Sequence, residues 1–344
     1  MKYTNLGRTG LKVSRLCLGT MSFGPRAHES ESFAIMDRAM ESGVQFFDTA
    51  DVYGWKDHEG YTEQIVGHWL AQGQRRDQVV LATKFQGAMG HGVNDRGASA
   101  KYIRRAVEAS LQRLKTDHID LYQMHHVNRD TPWEEVWQAM EVLVQQGKIL
   151  YAGSSNHAGW HIAQANEAAR RRNFLGYVSE QCKFSLACRH AELEVLPACQ
   201  AYGVGVLPYS PLDGGFLAGM FGKIERKDCA NPKATVRREN QDIQKRALQF
   251  RSRLEAWEEL CKQLGEKPSN VALAWLLRHS AVTAPLIGPR TLGQFDESLR
   301  SLEITLSEEI LVRLDEIFPP AGAPHVFSTS TSPYRYESPE AFAW

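Results

Sequence analysis

The stretch Phe46-Phe47-Asp48-Thr49-Ala50-Asp51-Val52-Tyr53-Gly54 decides how the rest of the chain is read. Val44-Gln45-Phe46-Phe47 is an apolar run of strand length, and it ends on an acid followed five residues later by a tyrosine in a Gly-terminated loop. A buried strand therefore delivers polar chemistry at its C-terminal end. Two later strand-like runs do the same: residues 79–83 stop at Lys84, and residues 119–124 stop at His125.

Thirty-six residues separate Asp48 from Lys84 and forty-one separate Lys84 from His125, each enough for a loop, a helix and another strand. Repeated βα units place parallel strands side by side, so the three strand ends meet on one face. In a (β/α)8 barrel that face carries the active site. The expected fold is therefore an α/β TIM barrel occupying about residues 14–318, within one domain of 1–344.

The remaining chain fits that count. Residues 3–13, with Gly7-Arg8-Thr9-Gly10 in the middle, read as a hairpin that plugs the N-terminal end of the barrel. Strands are expected at 15–18, 44–47, 79–83, 119–124, 149–153, 177–180, 204–208 and 282–287. Helices are expected at 31–41, 62–70, 100–114, 134–146, 159–171 and 191–202, the fourth started by a Thr131 cap with Pro132 in its first turn. After the seventh strand comes a long interval, 210–240, holding Gly214-Gly215, Pro232 and Arg237-Arg238, expected to form a mobile excursion above the barrel. Helices resume at 243–264 and 270–279, and two more at 292–302 and 307–317 complete the pattern. The tail, 319–344, is rich in Pro, Ser and Thr and lacks periodicity, so it should wrap the outside or cover the mouth.

The Asp48, Tyr53, Lys84, His125 order, with Asp48-Thr49-Ala50-Asp51-Val52-Tyr53-Gly54 as a D-T-A-x-x-Y-G motif, resembles the aldo-keto reductase family. The resemblance runs to about residue 318 and is similar in architecture to the family's potassium-channel β-subunit branch. It implies Tyr53 as general acid, Lys84 and Asp48 as its tuners, and His125 as substrate orienter or second proton donor. The chemistry is coherent: a phenol has an ordinary pKa of about 10. A nearby ammonium lowers it, and a carboxylate holds that ammonium in place.

The same resemblance implies a nicotinamide cofactor, NADPH with NADH left open. Gly19, Thr20 and Met21 would complete its nicotinamide end, with Asp48 beneath. Gly153-Ser154-Ser155-Asn156 matches a G-x-S-N element, giving Ser155 and Asn156 the carboxamide, and Glu180-Gln181 gives Gln181 the same partner. Tyr209-Ser210-Pro211-Leu212 matches an aromatic-S-P-L element in which Tyr209 stacks on the ring and the backbone meets the pyrophosphate; Gly214 and Leu217 belong to that phosphate loop. Gly288, Arg290, Gln294 and Glu297 fall where the family binds adenine and the 2′-phosphate, and an arginine fork suits a phosphate. His157 and Ser298 depart from the family's usual aromatic and Asn. Trp55, Phe85, Met89, His91, Val127, Asn128 and Phe221 are candidates for the substrate mouth, for an aldehyde or ketone with an apolar or sugar-like body.

Composition excludes several other classes. The chain of 344 residues is 43% hydrophobic and 23% charged, with 40 basic and 40 acidic residues, so nothing global favours nucleic acid or an anionic membrane. Cys17, Cys182, Cys188, Cys199, Cys229 and Cys261 form no C-x-x-C and read as reduced thiols in a cytoplasmic protein. No G-x-G-x-x-G follows a strand, against a Rossmann dehydrogenase. Adjacent strand residues face opposite ways, so His126 is expected to lie buried against a helix or in the loop, not to join His125 as a second ligand, and no metal site is expected. Two other readings stay open: a Schiff-base aldolase using Lys84, and an NADPH-binding regulatory subunit with little turnover. Homo-oligomerisation is left open as well.

Overall fold

In a computed structural model, residues 1–54, 58–220 and 241–321 are described. The chain opens with an antiparallel hairpin, β1 (Tyr3–Asn5) and β2 (Lys12–Ser14), before the repeating units begin. These run β3 (Cys17–Gly19), α1 (Glu29–Glu41), β4 (Phe46–Asp48), α2 (Tyr61–Leu70), β5 (Val80–Phe85), α3 (Ala100–Leu114), β6 (Ile119–Met124) and α4 (Trp133–Gln145). They continue with β7 (Ile149–Ser155), α5 (Gly159–Arg171), β8 (Tyr177–Gln181), α6 (Val195–Tyr202) and β9 (Gly205–Val206). After the long interval come α7 (Gln241–Gln249), α8 (Arg251–Gln263), α9 (Pro268–Leu277), β10 (Leu286–Ile287), α10 (Leu292–Leu299) and α11 (Glu308–Ile317).

Eight parallel strands lie in the order β10-β3-β4-β5-β6-β7-β8-β9. The sheet closes on itself: Thr283 N donates to Val206 O at 2.8 Å and Leu286 N to Pro208 O at 2.8 Å, while Leu286 and Ile287 pair with Cys17 and Leu18. This is a (β/α)8 barrel. Its last two ladders are shorter than the expected 204–208 and 282–287 because Pro208 and Pro285 bring no backbone N–H. Every residue of β5 and β6 is buried, as both faces of a parallel barrel strand are covered.

The hairpin plugs the barrel floor as expected. Leu6 and Val13 are fully buried and pack with Phe46, Val80, Ala82, Leu121 and Leu207 in one interior cluster. Outside, the apolar stripes face the sheet; α3 buries Tyr102, Ile103, Ala106, Val107, Leu111 and Leu114, is capped by Ser99 Oγ accepting from Tyr102 N, and ends on Lys115 in the left-handed conformation.

Several helix boundaries differ from those expected. Pro132 occupies the cap position of α4 itself and the helix begins at Trp133. The expected helix 243–264 is two helices, broken where Phe250 leaves helical dihedrals. Residues 191–202 split into a short 3-10 turn, His190–Glu192, and α6. The early part of the long interval is folded inward, with Phe216, Leu217 and Met220 buried. The expected excursion beyond it, with Phe221, Cys229, Pro232 and Arg237-Arg238, lies outside the described residues, as do Trp55 and most of the tail.

Candidate active site

The C-terminal mouth of the barrel opens into a cavity of about 620 Å³, a size typical of small-molecule and cofactor sites. Asp48 is the last residue of β4, Lys84 the next to last of β5, and His125 follows β6 directly. Phe46, Ala82 and Leu121 belong to the barrel's interior cluster. The two-residue period of a strand therefore turns Asp48, Lys84 and Gln123 inward as well, and His125, whose N–H donates to Phe85 O at 2.9 Å, carries the ladder one residue past β6 and lines the cavity.

These side chains form one connected network. Lys84 Nζ donates to Asp48 Oδ1 at 2.5 Å, to Thr49 O at 2.9 Å and to Tyr53 Oη at 3.2 Å. That occupies all three donors of an ammonium. Asp48 Oδ2 accepts from Gln123 Nε2 and Gln181 Nε2, each at 2.9 Å. Both charges of the pair are buried and both are saturated. The His125 ring stands edge-on to Tyr53, ring centroids 5.9 Å apart.

Electrostatics assigns protonation states. Burial opposes the Lys84 charge, but Asp48 and Tyr53 overcome it and raise its pKa above the ordinary lysine value, so it is an ammonium. Burial also raises the Tyr53 phenol above 10, and Lys84 only partly offsets this. The sequence reading expected a lowered value; desolvation of the phenolate outweighs the neighbouring cation. Burial, then the Lys84 charge, then His126, hold His125 well below 6.5. Its imidazole is thus neutral at neutral pH, a hydrogen-bond donor and not a cation.

The residues expected to hold a nicotinamide line the same cavity: Gly19, Thr20 and Met21 from the loop after β3, Ser155 and Asn156 at the end of β7, and Gln181 at the end of β8. Asn156 adopts a left-handed backbone (φ 57°). From it Nδ2 donates to His125 O at 3.0 Å and to Ser155 Oγ at 3.1 Å. Tyr209 Oη donates to Asn156 Oδ1 at 2.8 Å. The amide nitrogen of Gln181 is engaged by Asp48 and leans toward Gln123 Oε1 at 3.4 Å.

Around the rim stand Ser210, Pro211, Leu212 and Gly214, then Gly288, Arg290, Gln294 and Glu297. Gln294 Oε1 accepts from Arg290 N at 2.9 Å, and Glu297 pairs with Lys267. A side chain at Gly215 or Gly288 would meet nothing within 4 Å. Bare backbone there faces open space, as close approach of a phosphate requires. This donor set and these open glycines fit a dinucleotide.

Several expected positions lie elsewhere. Leu217 is buried in the core and does not line the cavity. Phe85 is buried and stacks on Tyr122 at 4.8 Å. Val127 is buried, and Asn128 Oδ1 accepts from Thr131 Oγ1 at 2.8 Å. Neither these nor Met89 and His91 line the cavity. His126 does line it, stacked nearly parallel on His125 with centroids 5.1 Å apart, because β6 ends at Met124 and strand alternation no longer applies. Arg26 and Gln123 were also missed; parity with His125 was the available signal for Gln123.

Residues 15–318 match the model of the Aldo/keto reductase family. The chain is 50% identical to the uncharacterized oxidoreductase YrpG of Bacillus subtilis, over the whole of both chains. It is 33% identical to norsolorinic acid reductase A of Aspergillus parasiticus, over 97% of this chain and 86% of that protein. A probable voltage-gated potassium channel subunit beta of Oryza sativa is 32% identical, over 92% of this chain and 96% of that one.

Proposed function

Because the chain belongs to the aldo/keto reductase family, we propose that it is an NADPH-dependent oxidoreductase that reversibly reduces an aldehyde or ketone to an alcohol. The observation that carries this reading is the hydrogen-bonded run from Asp48 through Lys84 to Tyr53 at the cavity floor. The dinucleotide supplies a hydride to the carbonyl carbon when bound. Ser155, Asn156 and Tyr209 would position its nicotinamide, and Arg290 and Gln294 would hold its adenosine end.

Tyr53 then gives its proton to the carbonyl oxygen. Its raised pKa keeps it protonated until that oxygen gains charge, and the Lys84 ammonium at 3.2 Å stabilises the phenolate left behind. Neutral His125 donates a hydrogen bond to the same oxygen and fixes the carbonyl face. Asp48, saturated by Lys84 and two glutamines, keeps the ammonium aimed at Tyr53. A Schiff-base role for Lys84 fares poorly here, since a fully buried ammonium with three partners is no free amine. A reducing, cytoplasmic setting is supported by Cys17, Cys182, Cys188, Cys199 and Cys261, all free thiols; among the described residues no helix is long and apolar enough to cross a membrane.

NADPH consumption against a panel of aldehydes and ketones tests the proposal. Tyr53→Phe should cost about 10²-fold or more in turnover while nucleotide binding persists. Tight nucleotide binding with no turnover of any carbonyl by the natural chain would overturn it in favour of a regulatory role.

A further inference from the structure

Arg26 belongs to no motif of the chain, yet it stands in the cavity wall on a rigid support. In the turn between β3 and α1, Arg26 N and Ala27 N both donate to Ser22 O, at 3.0 and 2.9 Å, and Gly24 N donates to Ala27 O at 2.8 Å. Phe23 and Ala27 anchor the turn in the core, both fully buried. Gly24 has φ 88°, and a Cβ there would come within 2.7 Å of the Tyr61 ring, so the turn is pressed against α2. The Arg26 side chain thus springs from a backbone with little freedom.

The pairing of β10 with β3, Leu286 to Cys17 and Ile287 to Leu18, sends the loops after these two strands out side by side. One carries Arg26 and the other Arg290, and both arginines line the cavity. Burial lowers the Arg290 pKa, and the charge of Arg26 lowers it further. Among the described residues Arg26 forms no ion pair, and Glu297, the acid in the same wall, is held by Lys267 at 2.5 Å. Two cations sharing a partly desolvated wall repel each other, and an anion between them reverses the sign of that interaction.

We infer that Arg26 is a phosphate-gripping residue that acts with Arg290 to hold a phosphate of the bound nucleotide in the cavity wall. This rests on the nucleotide-dependent reading proposed above. Two phosphates of the dinucleotide carry the required chemistry, the adenosine 2′-phosphate and the pyrophosphate, and a guanidinium fork suits either.

Calorimetric titration of the full chain with NADPH, NADH, 2′,5′-ADP and 5′-AMP, at low and high salt, tests the inference without turnover. Arg26→Ala should weaken NADPH about tenfold or more and flatten its salt dependence. Arg26→Lys, which keeps the charge and loses the fork, should recover part of the affinity. Loss confined to NADPH and 2′,5′-ADP assigns Arg26 to the 2′-phosphate, and equal loss for NADH assigns it to the pyrophosphate; both support the inference. Unchanged affinity of Arg26→Ala for NADPH and NADH overturns it. A natural chain that binds neither dinucleotide would instead sink the nucleotide reading itself, so the two failures are distinguishable.

Discussion

Gln181 Nε2 donates to Asp48 Oδ2 at 2.9 Å, reaching from β8 to an acid on β4, and so ties the two halves of the barrel mouth to one carboxylate. Gln123 Nε2 donates to the same oxygen, and Lys84 takes the other. Asp48→Asn would present an amide where three donors converge, and would leave the buried Lys84 ammonium without its counter-charge. Removing one partner of a buried ion pair costs about 3–5 kcal/mol. Denaturant unfolding should show a loss of that order, with turnover falling at the same time. An Asp48→Asn variant as stable as the natural chain would show that Asp48 does not brace the mouth.

Glu180 predicts a pH dependence of stability. It is fully buried, and burial pushes its pKa up to about 8. Its Oε2 is 2.5 Å from Ser154 Oγ, whose one proton can go to Glu180 or instead to Ser179 O, 3.2 Å away. A protonated Glu180 therefore has an acceptor for its O–H. With the folded pKa above the unfolded one, this stabilisation is complete below the ordinary carboxyl value near 4.5 and is lost as pH rises toward 8. His157, neighbouring it and lowered to about 3, mainly by burial, acts in the other direction, its contribution falling away as pH drops below 6.5. Glu180→Gln keeps the donor to Ser154 and cannot ionise. Urea unfolding at neutral and mildly alkaline pH should show a shallower decline for the variant; parallel declines would refute the protonated state.

Gly7 predicts a stability effect far from the chemistry. It has φ 53° at the tip of the floor hairpin, and a Cβ would come within 2.4 Å of Val178 O and 2.7 Å of Gly203 O. Both neighbours are backbone, one held in β8 and the other at the C-cap of α6. Gly7→Ala should cost about 2–4 kcal/mol, read as a lower thermal midpoint, while the Michaelis constant for NADPH stays unchanged. A change in that constant without a change in midpoint would mean the plug communicates with the mouth.

How much of this was legible varies with the physical signal. Asp48, Lys84 and His125 end apolar runs, and a strand's period of two carries them to one face whatever the loops do. Gln181 was legible as a cavity residue, but its bond to Asp48 crosses 133 positions in sequence; no local pattern encodes such a contact. Tyr53 lines the cavity, but the direction of its pKa shift was not legible, because sequence shows the neighbouring Lys84 and not the depth of burial. His126 follows the end of β6 by two residues, where strand alternation no longer fixes which way a side chain faces. Arg26 sits in a Gly-Pro turn that carries no periodicity, and only the β3–β10 pairing brings it to Arg290.

Tyr209 separates ring from hydroxyl. Its Oη donates to Asn156 Oδ1 at 2.8 Å, and Asn156 in turn donates to the His125 carbonyl at 3.0 Å. The ring would stack on the nicotinamide, and the hydroxyl fixes the left-handed Asn156 that supports His125. Tyr209→Phe keeps the stacking face and removes one neutral hydrogen bond, worth about 0.5–1.5 kcal/mol. It should raise the dissociation constant for NADPH only a few fold. Tyr209→Ala removes the face as well, and aromatic contacts of this kind add about 0.5–1.5 kcal/mol beyond area burial, so its loss should be at least tenfold. Fluorescence titration with NADPH distinguishes the two. If Phe and Ala weaken binding equally, the hydroxyl's hold on Asn156 dominates and Tyr209 acts as a positioning residue for the β7 end, not as a stacking platform.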